Sequence, residues 1–203
     1  MVVTSLEEID KNKFKVYIDY HYAFLLYRKD IEVYGLKEEE EITDWEFDKI
    51  IEDTVLRRAK QKALAILKFK DRTEQELRGK LSETGYPPEV IDRTITYVME
   101  YGYLNDERFV GAFIRERKNT KSKMVIRMQL VQKGAKKELI DHMLQLEYEE
   151  SEEGQDAEVI AIQRAIAKKT KNIDGLNFEE KQKIVASLYR KGFSIEKIKS
   201  ELK

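Results

Sequence analysis

The chain has 203 residues and a net charge of −1; 41% of the residues are hydrophobic, 38% are charged, and glycine (nine) and proline (two) are scarce. This balance favours helices with long solvated faces over sheets with many tight turns, and the absence of cysteine excludes disulfides and thiolate metal sites. The N-terminus lacks the order of a signal peptide, and no run approaches the ~20 apolar residues of a membrane span, so we expect a soluble, cytoplasmic protein. We also expect a monomer without a cofactor.

Two short strands are predicted near the N-terminus. Residues 13–18, KFKVYI, alternate polar and apolar side chains with the period of two that is typical of a half-buried strand. Residues 23–27, AFLLY, form a second short apolar run, and the connection DYHY (19–22) lacks the Asn-Gly or Asp-Gly that favours a tight turn. We predict a small β-hairpin module within an N-terminal extension that spans residues 1–42.

A long helix is predicted to follow. Residues 28–36 are interpreted as a helical turn ended by its glycine, and the acidic run at 38–41 as a solvated loop. Thr43 and Glu46 have the spacing of a capping box, which begins a helix predicted to run to about residue 69. Trp45 is expected to pack the hairpin onto this helix rather than to bind a ligand. The predicted core-facing stripe of the helix is Phe47, Ile50, Ile51, Thr54, Val55 and Arg58.

One eleven-residue pattern occurs three times in the rest of the chain, as LSETGYPPEVI (81–91), LVQKGAKKELI (130–140) and LYRKGFSIEKI (188–198). Each copy has a leucine, a glycine four residues later and an isoleucine six residues after that. Aligned on the glycine, the units share apolar residues at three positions: Leu77, Ile126 and Ile184; Leu81, Leu130 and Leu188; Ile91, Ile140 and Ile198. Helix N-caps are predicted at Thr73, Ser122, Asn177 and Ser194.

The repeated pattern predicts a mainly α fold. A unit of three short helices buries little surface alone, so tandem copies share a core. We predict tandem three-helix repeats that form an elongated curved body behind the N-terminal β-hairpin module. The predicted boundaries are 43–103 for the long helix and first repeat, 104–150 for the second repeat and 151–203 for the third.

A catalytic site cannot be assembled from the sequence. His21 and His142 have no second histidine at metal-ligand spacing, and the chain contains no phosphate-binding glycine loop and no nucleophile elbow. The acidic runs at 38–41 and 147–158 could loosely bind divalent cations, although solvation explains them more simply. We expect a protein that is not an enzyme and holds no metal.

Basic residues are concentrated in the middle of the chain. Between residues 115 and 137 they face a single acid, Glu116. The basic residues are Arg115, Arg117, Lys118, Lys121, Lys123, Arg127, Lys133, Lys136 and Lys137. Such a patch suits a polyanion or an acidic protein surface, and a solvated helical face is the alternative.

Helices joined at a glycine also fit a helix-turn-helix motif that reads DNA. In the first unit, however, the residues at this turn are SETGYPPE, which are poorly suited to contact phosphate. We therefore expect no sequence-specific DNA readout.

Four segments of the repeat region form an ordered set. They are Ala63-Leu64; Thr73-x-x-Glu76-Leu77-x-x-Lys80-Leu81-x-x-x-Gly85; Gly102-Tyr103-Leu104-Asn105-Asp106 followed by Phe109; and Ile126-x-x-x-Leu130-x-x-Lys133-Gly134. This set resembles the bacterial RecX family over residues 43–203, and the N-terminal segment is similar to the extension of longer members. Two positions depart from the family pattern: Ser122 follows Lys121, and Tyr20 follows Asp19, where many relatives have glycine.

The resemblance implies a non-enzymatic modulator of the RecA recombinase. RecX family members bind the RecA filament on single-stranded DNA, along its groove, and inhibit ATP hydrolysis, filament growth and strand exchange. Under this hypothesis the nine basic residues contact the filament. Two alternatives stay open: a helical-repeat adaptor for another protein, and a non-specific binder of single- or double-stranded DNA.

Overall fold

The computed structural model describes residues 1–149 and 156–203, which form two compact units, Met1–Asn105 and Asp106–Lys203. The first unit combines an antiparallel sheet with the first three-helix repeat, and the second unit contains the other two repeats. Among the residues described, none of the helices has the length and apolar character that a membrane span requires. The repeat boundaries proposed from the sequence stay predictions, and the one between residues 150 and 151 lies outside the described residues.

The N-terminal module is a three-stranded sheet rather than a hairpin. Strands β1 (Val3–Asp10), β2 (Lys13–Ile18) and β3 (His21–Tyr27) are antiparallel in the order β1-β2-β3. The predicted pair β2–β3 is confirmed, and β1 is an addition. Its sequence, VTSLEEID, does not alternate polar and apolar residues, so it gives no period-two signal. The last four residues of the strand are exposed on both faces of the sheet, so neither face of this part has to be apolar.

The β2–β3 turn consists of only two residues, Asp19 and Tyr20, because Ile18 pairs directly with His21. Both turn residues have left-handed backbone angles, with φ of 47° and 67°. The N-terminus of the chain supports this turn: the Asp19 carboxylate accepts a hydrogen bond from the Val2 N–H at 2.9 Å, and the Tyr20 N–H donates to the Thr4 hydroxyl at 3.0 Å. These contacts allow a tight turn without glycine.

Replacing Tyr20 with glycine should stabilise the first unit by about 0.5–1 kcal/mol. The left-handed conformation costs a non-glycine residue about 1–2 kcal/mol, and the greater freedom of glycine in the unfolded chain offsets part of that gain. Little packing is lost, since the Tyr20 side chain is 88% exposed. Urea unfolding of Tyr20→Gly beside Tyr20→Ala measures the effect; an unchanged or lower midpoint for the glycine variant would contradict the assignment of strain.

The helical part of the first unit begins with α1 (Arg28–Tyr34), which ends at Gly35 as predicted. The predicted long helix is also present, and the Thr43–Glu46 capping box begins it. It comprises α2 (Asp44–Ile50), a π-helical segment (Ile51–Leu56) and α3 (Arg57–Phe69). The π-helical segment changes the helical period, so that Leu56, absent from the predicted stripe, is buried beside Thr54 and Val55.

The predicted role of Trp45 is wrong. Its side chain is 68% exposed, and the Lys49 ammonium lies 4.9 Å from the ring centroid. Phe47 makes the contact with the sheet instead, with its ring centroid 5.7 Å from that of Phe24. Two residues correspond to about 200° around a helix, so Trp45 and Phe47 cannot face the same side.

The acidic run at 38–41 is exposed, as predicted for a solvated loop, but it also pairs with β1. The Val3 N–H donates to the Glu40 carbonyl at 3.0 Å, and the Glu39 N–H donates to the Val3 carbonyl at 2.8 Å. The Glu38 carboxylate accepts from the Leu6 N–H at 2.7 Å. The loop therefore satisfies backbone groups at the free edge of the sheet.

In the two described ranges, eight further helices complete the repeats. The first repeat adds α4 (Glu74–Glu83) and α5 (Pro88–Glu100) to α3. The second repeat contains α6 (Asp106–Arg117), α7 (Lys123–Gln132) and α8 (Lys137–Glu149). The third repeat contains α9 (Ala157–Ala167), α10 (Phe178–Tyr189) and α11 (Ile195–Ser200). The predicted caps at Thr73, Ser122 and Asn177 are confirmed, whereas the Ser194 side chain makes no capping bond.

The predicted apolar positions form the cores of the repeats. All nine of the aligned leucines and isoleucines are buried. The three glycines adopt left-handed angles, with φ of 92° at Gly85, 79° at Gly134 and 80° at Gly192. In each repeat the N–H of the residue after the glycine bonds to the carbonyl of the leucine four positions before the glycine. The repeated pattern thus encodes a helix ending that the chain uses three times.

Replacing Gly192 with alanine should destabilise the protein more than replacing Gly35 with alanine. A Cβ at Gly192 would lie 2.9 Å from the Ser122 hydroxyl and 3.2 Å from the Met124 Cβ, whereas a Cβ at Gly35 would meet nothing within 4 Å. Both glycines have positive φ, so both variants carry the left-handed cost of about 1–2 kcal/mol, and Gly192→Ala adds roughly 1–2 kcal/mol of steric overlap. Thermal unfolding of the two variants tests this; equal losses would show that the close approach has no energetic consequence.

Candidate functional site

The basic residues between 115 and 137 lie on three helices of the second repeat and on the segments that join them. Arg115 and Arg117 are on α6, Lys118 and Lys121 follow it, Lys123 and Arg127 are on α7, Lys133 and Lys136 lie in the α7–α8 turn, and Lys137 begins α8. Their surroundings differ, so the structure divides the sequence patch into cations that hold the repeat together and cations that face solvent.

Arg115 and Lys118 converge on one buried acid, Glu147 of α8. Only 7% of the Glu147 side chain is exposed. The Arg115 guanidinium donates to its carboxylate, and the Lys118 ammonium lies 3.9 Å from the carboxylate and donates to the Glu147 carbonyl at 2.6 Å. These two cations tie the end of α6 and the segment after it to the end of α8.

Sequence reasoning misses Glu147 because the acid is 32 residues from Arg115. A signal is nevertheless present on α8. Ile140, Met143, Leu144 and Glu147 have the i, i+3, i+4, i+7 spacing of one helical face, and all four are buried. A carboxylate on an otherwise apolar helical face indicates that a cation from another part of the chain pairs with it.

Arg117 and Arg127 also have partners within the repeat. The Arg117 guanidinium carbon lies 3.8 Å from the Phe113 ring centroid, and the group pairs with Glu116. Arg127 forms two 2.7 Å hydrogen bonds with Asp141 on α8. The Arg127 hydrogen bonds, and then the charges of Lys123 and Lys137, lower the pKa of Asp141. Both members of this pair are about half exposed, so its contribution to stability is small.

Three lysines make weaker contacts. The Lys121 ammonium donates to the Gln129 side chain at 3.2 Å. The Lys123 ammonium lies 5.2 Å from the Tyr148 ring centroid, and the Lys133 ammonium lies 5.7 Å from that of Phe109. Burial raises the pKa of the Tyr148 hydroxyl, so the ring beneath Lys123 is neutral at physiological pH. Of the three, Lys123 is exposed and keeps its charge available at the surface, whereas Lys121 and Lys133 are partly buried.

Lys136 and Lys137 are exposed, and neither forms a hydrogen bond or ion pair through its side chain within residues 1–149 and 156–203. Together with Lys133 they surround Gly134 at the α7–α8 turn, and we call this set the turn cluster. Of the nine predicted contact residues, Lys123, Lys136 and Lys137 are best placed to meet a partner, because they are exposed and lie outside any ion pair in the described ranges. Lys133 lies beside Lys136 and also interacts with other residues of the chain.

The histidines occupy ordinary positions. His21 Nδ1 lies 2.8 Å from the Asp19 carbonyl oxygen in the sheet, and His142 is exposed on α8. In the part of the chain that the structure describes, no three acidic or histidine side chains are grouped so as to hold a metal ion. The prediction that the acidic run at 147–158 is simply solvated is wrong for Glu147, which is buried on α8. Residues 150–155 of this run lie outside the described part of the chain.

Family models match all three repeats. The first three-helix domain of RecX matches residues 59–97, the second matches residues 105–144, and the third matches residues 156–202. The protein named regulatory protein RecX from Caldanaerobacter subterraneus subsp. tengcongensis is 32% identical, and the alignment covers 100% of this chain and 98% of that protein. A protein of the same name from Clostridium acetobutylicum is 31% identical, with 99% and 94% covered.

Solved structures share the fold. The crystal structure of a regulatory protein RecX superposes with a TM-score of 0.62 at 23% identity, covering 98% of this chain and 99% of that one. The crystal structure of RecX from Lactobacillus salivarius gives a TM-score of 0.58 at 22% identity, covering 74% and 96%. With three family models in order and relatives matched over nearly their whole length, the chain belongs to the RecX family of regulatory proteins.

Proposed function

We propose that the chain acts by binding rather than by catalysis, and that its target is the RecA filament on single-stranded DNA. Binding along the filament groove inhibits ATP hydrolysis, filament growth and strand exchange. The observation that carries this proposal is the match of all three repeats to RecX domains in a chain that also aligns end to end with proteins named as regulators.

The turn cluster supplies the electrostatic part of this proposed contact. Lys136 and Lys137 are exposed cations outside any ion pair in the described ranges, and Lys133 lies beside them. A nucleoprotein filament presents DNA phosphates and acidic side chains, and either would attract such a group. Three other cations of the basic stretch, Arg115, Lys118 and Arg127, pair with acids on α8. They contribute to the contact only by stabilising the second repeat.

Non-specific DNA binding is the second candidate, and the same exposed lysines favour it. The two functions differ in what they require. A filament regulator needs the recombinase, whereas a DNA-binding protein is retained by naked DNA with an affinity that falls steeply as salt increases.

Co-sedimentation distinguishes these functions. The chain is incubated with the cognate RecA alone, with single-stranded DNA alone, and with both together in the presence of a slowly hydrolysed ATP analogue. The proposal predicts strong retention only where a filament forms. Equal retention by DNA alone would support the DNA-binding alternative, and absence from the filament pellet at every salt concentration would contradict the proposed target.

A further inference from the structure

A cleft of about 1150 Å³ lies between the second and third repeats, within the unit Asp106–Lys203. One wall is α7 from Lys123 to Met128, the second is α8 around Leu144, and the third is the α10–α11 turn from Tyr189 to Ser194. The proposed electrostatic contact at the turn cluster does not use this cleft.

Large apolar side chains are exposed in the cleft. Met124 is 59% exposed, Met128 is 51% exposed and Tyr189 is 58% exposed, although the cores of both repeats are complete without them. Met124 and Met128 are four residues apart, so they form one stripe of α7, while Ile126 and Leu130 face the core. Grouped exposed apolar side chains with a charged rim are typical of a protein interaction site.

Among the described residues around the cleft, cations outnumber acids. Lys123, Arg190 and Lys191 form no ion pair with any residue in the two described ranges. Of the two acids of the lining, Asp141 pairs with Arg127, and Glu158 shares Lys197 with Asp156, which leaves one negative charge against these three cations. The rim therefore has a net positive charge and should attract an acidic ligand.

The floor of the cleft is formed before any ligand binds. The Ser122 hydroxyl donates to the Lys191 carbonyl at 2.6 Å and also caps α7, so it joins the start of that helix to the α10–α11 turn. Gly192 allows this close approach. A preformed site loses less conformational entropy when a ligand binds, which raises affinity for a given contact area.

We propose that this cleft binds an acidic, amphipathic peptide segment of a partner protein. Apolar side chains of the segment pack on Met124, Met128 and Tyr189, and its carboxylates meet the cationic rim. Flexible thioether side chains suit apolar peptide side chains of varied shape. Single-stranded nucleic acid fits less well, because Tyr189 is the single exposed aromatic ring in the described lining and base stacking uses successive rings.

This inference rests on the proposed function only in naming the source of the segment, which is the protein part of the RecA filament. The binding chemistry is tested without the filament. The probe is a fluorescein-labelled helical peptide of ~18 residues, with leucine at helical spacing and glutamate elsewhere, beside a counterpart that has lysine in place of glutamate. The protein variants are Met128→Glu in the cleft and Phe178→Glu, which alters an exposed apolar side chain outside it.

Fluorescence anisotropy should show that the glutamate peptide binds at least about tenfold more tightly than the lysine peptide, and that Met128→Glu weakens it by about tenfold or more. Phe178→Glu should leave the affinity unchanged, and circular dichroism should show both variants folded. Failure of the wild-type protein to bind the glutamate peptide, or equal binding of both peptides, would overturn the proposal. Displacement of bound peptide by a single-stranded oligonucleotide, with the same sensitivity to Met128→Glu, would also overturn it in favour of nucleic acid.

Co-sedimentation with the filament tests whether the acidic segment that binds the cleft belongs to the filament. Loss of retention for Met128→Glu and not for Phe178→Glu places the segment on the filament. If the wild-type chain binds the peptide but not the filament, the proposed function fails and the cleft assignment stands. If the filament retains both variants equally and the peptide does not bind, the cleft assignment fails and the proposed function stands.

Discussion

Replacing Glu147 with alanine is expected to lower the free energy of unfolding of the second unit by about 2–3 kcal/mol. The carboxylate is buried and serves both Arg115 and Lys118. Its loss leaves Lys118, which is 17% exposed, with the Glu147 carbonyl as its one side-chain partner among the described residues. Arg115 is 56% exposed and water can solvate it, so the loss stays below that of a fully buried pair.

Urea unfolding followed by circular dichroism measures this loss, and Glu116→Ala is the matched control. Glu116 is an exposed acid that pairs with Arg117, so its removal should cost less than about 0.5 kcal/mol. The double variant Arg115→Ala/Glu147→Ala should lose less than the sum of the two single changes, because the pair is removed together. Equal effects of Glu147→Ala and Glu116→Ala would show that the buried acid does not hold α6 and α8 together.

Reversing the turn cluster, with Lys133, Lys136 and Lys137 all changed to glutamate, is expected to weaken filament binding by about tenfold or more and to flatten its salt dependence. The reason is the loss of attraction to phosphates and acidic side chains, together with new repulsion. Lys136 and Lys137 lack ion pairs among the described residues, so their reversal should not disturb the fold. Lys133 interacts within the chain, so circular dichroism checks that the triple variant is folded. Binding is measured by anisotropy on filaments assembled with labelled single-stranded DNA at several salt concentrations.

A second triple variant provides the control for net charge. Lys168, Lys169 and Lys171 are exposed lysines of the third repeat, and their reversal changes the charge of the protein by the same amount. That variant should bind the filament nearly as well as the wild type. Equal losses in the two variants would show that overall charge, rather than the position of the turn cluster, determines the affinity.

The repeat cores could be predicted from the sequence because their signals are local. A glycine that ends a helix lies at fixed distances from buried leucines and isoleucines, and all nine aligned positions are buried. Two capping boxes in the first unit, at Thr43 and Thr73, likewise depend on neighbouring residues alone. Such features follow from helix periodicity and capping and need no knowledge of tertiary contacts.

The features that the sequence did not predict depend on contacts distant along the chain. Strand β1 is held by its pairing with β2 and by the loop at 38–41, and its own residues lack alternation. The candidate site was only partly predictable for the same reason. The sequence locates the basic stretch, but Glu147 and Asp141, which engage Arg115, Lys118 and Arg127, approach it only after α8 packs against α6 and α7.

Regulation of the filament can be measured through the rate at which the cognate RecA hydrolyses ATP on single-stranded DNA as this chain is added. If the chain binds and inhibits the filament, hydrolysis should fall progressively and be lost at or below one chain per RecA protomer. Loss at ratios well below one would indicate action at filament ends or propagated disassembly, and loss only near one would indicate coating of the groove. An unchanged rate at every ratio would contradict the proposal that this RecX family member regulates the filament.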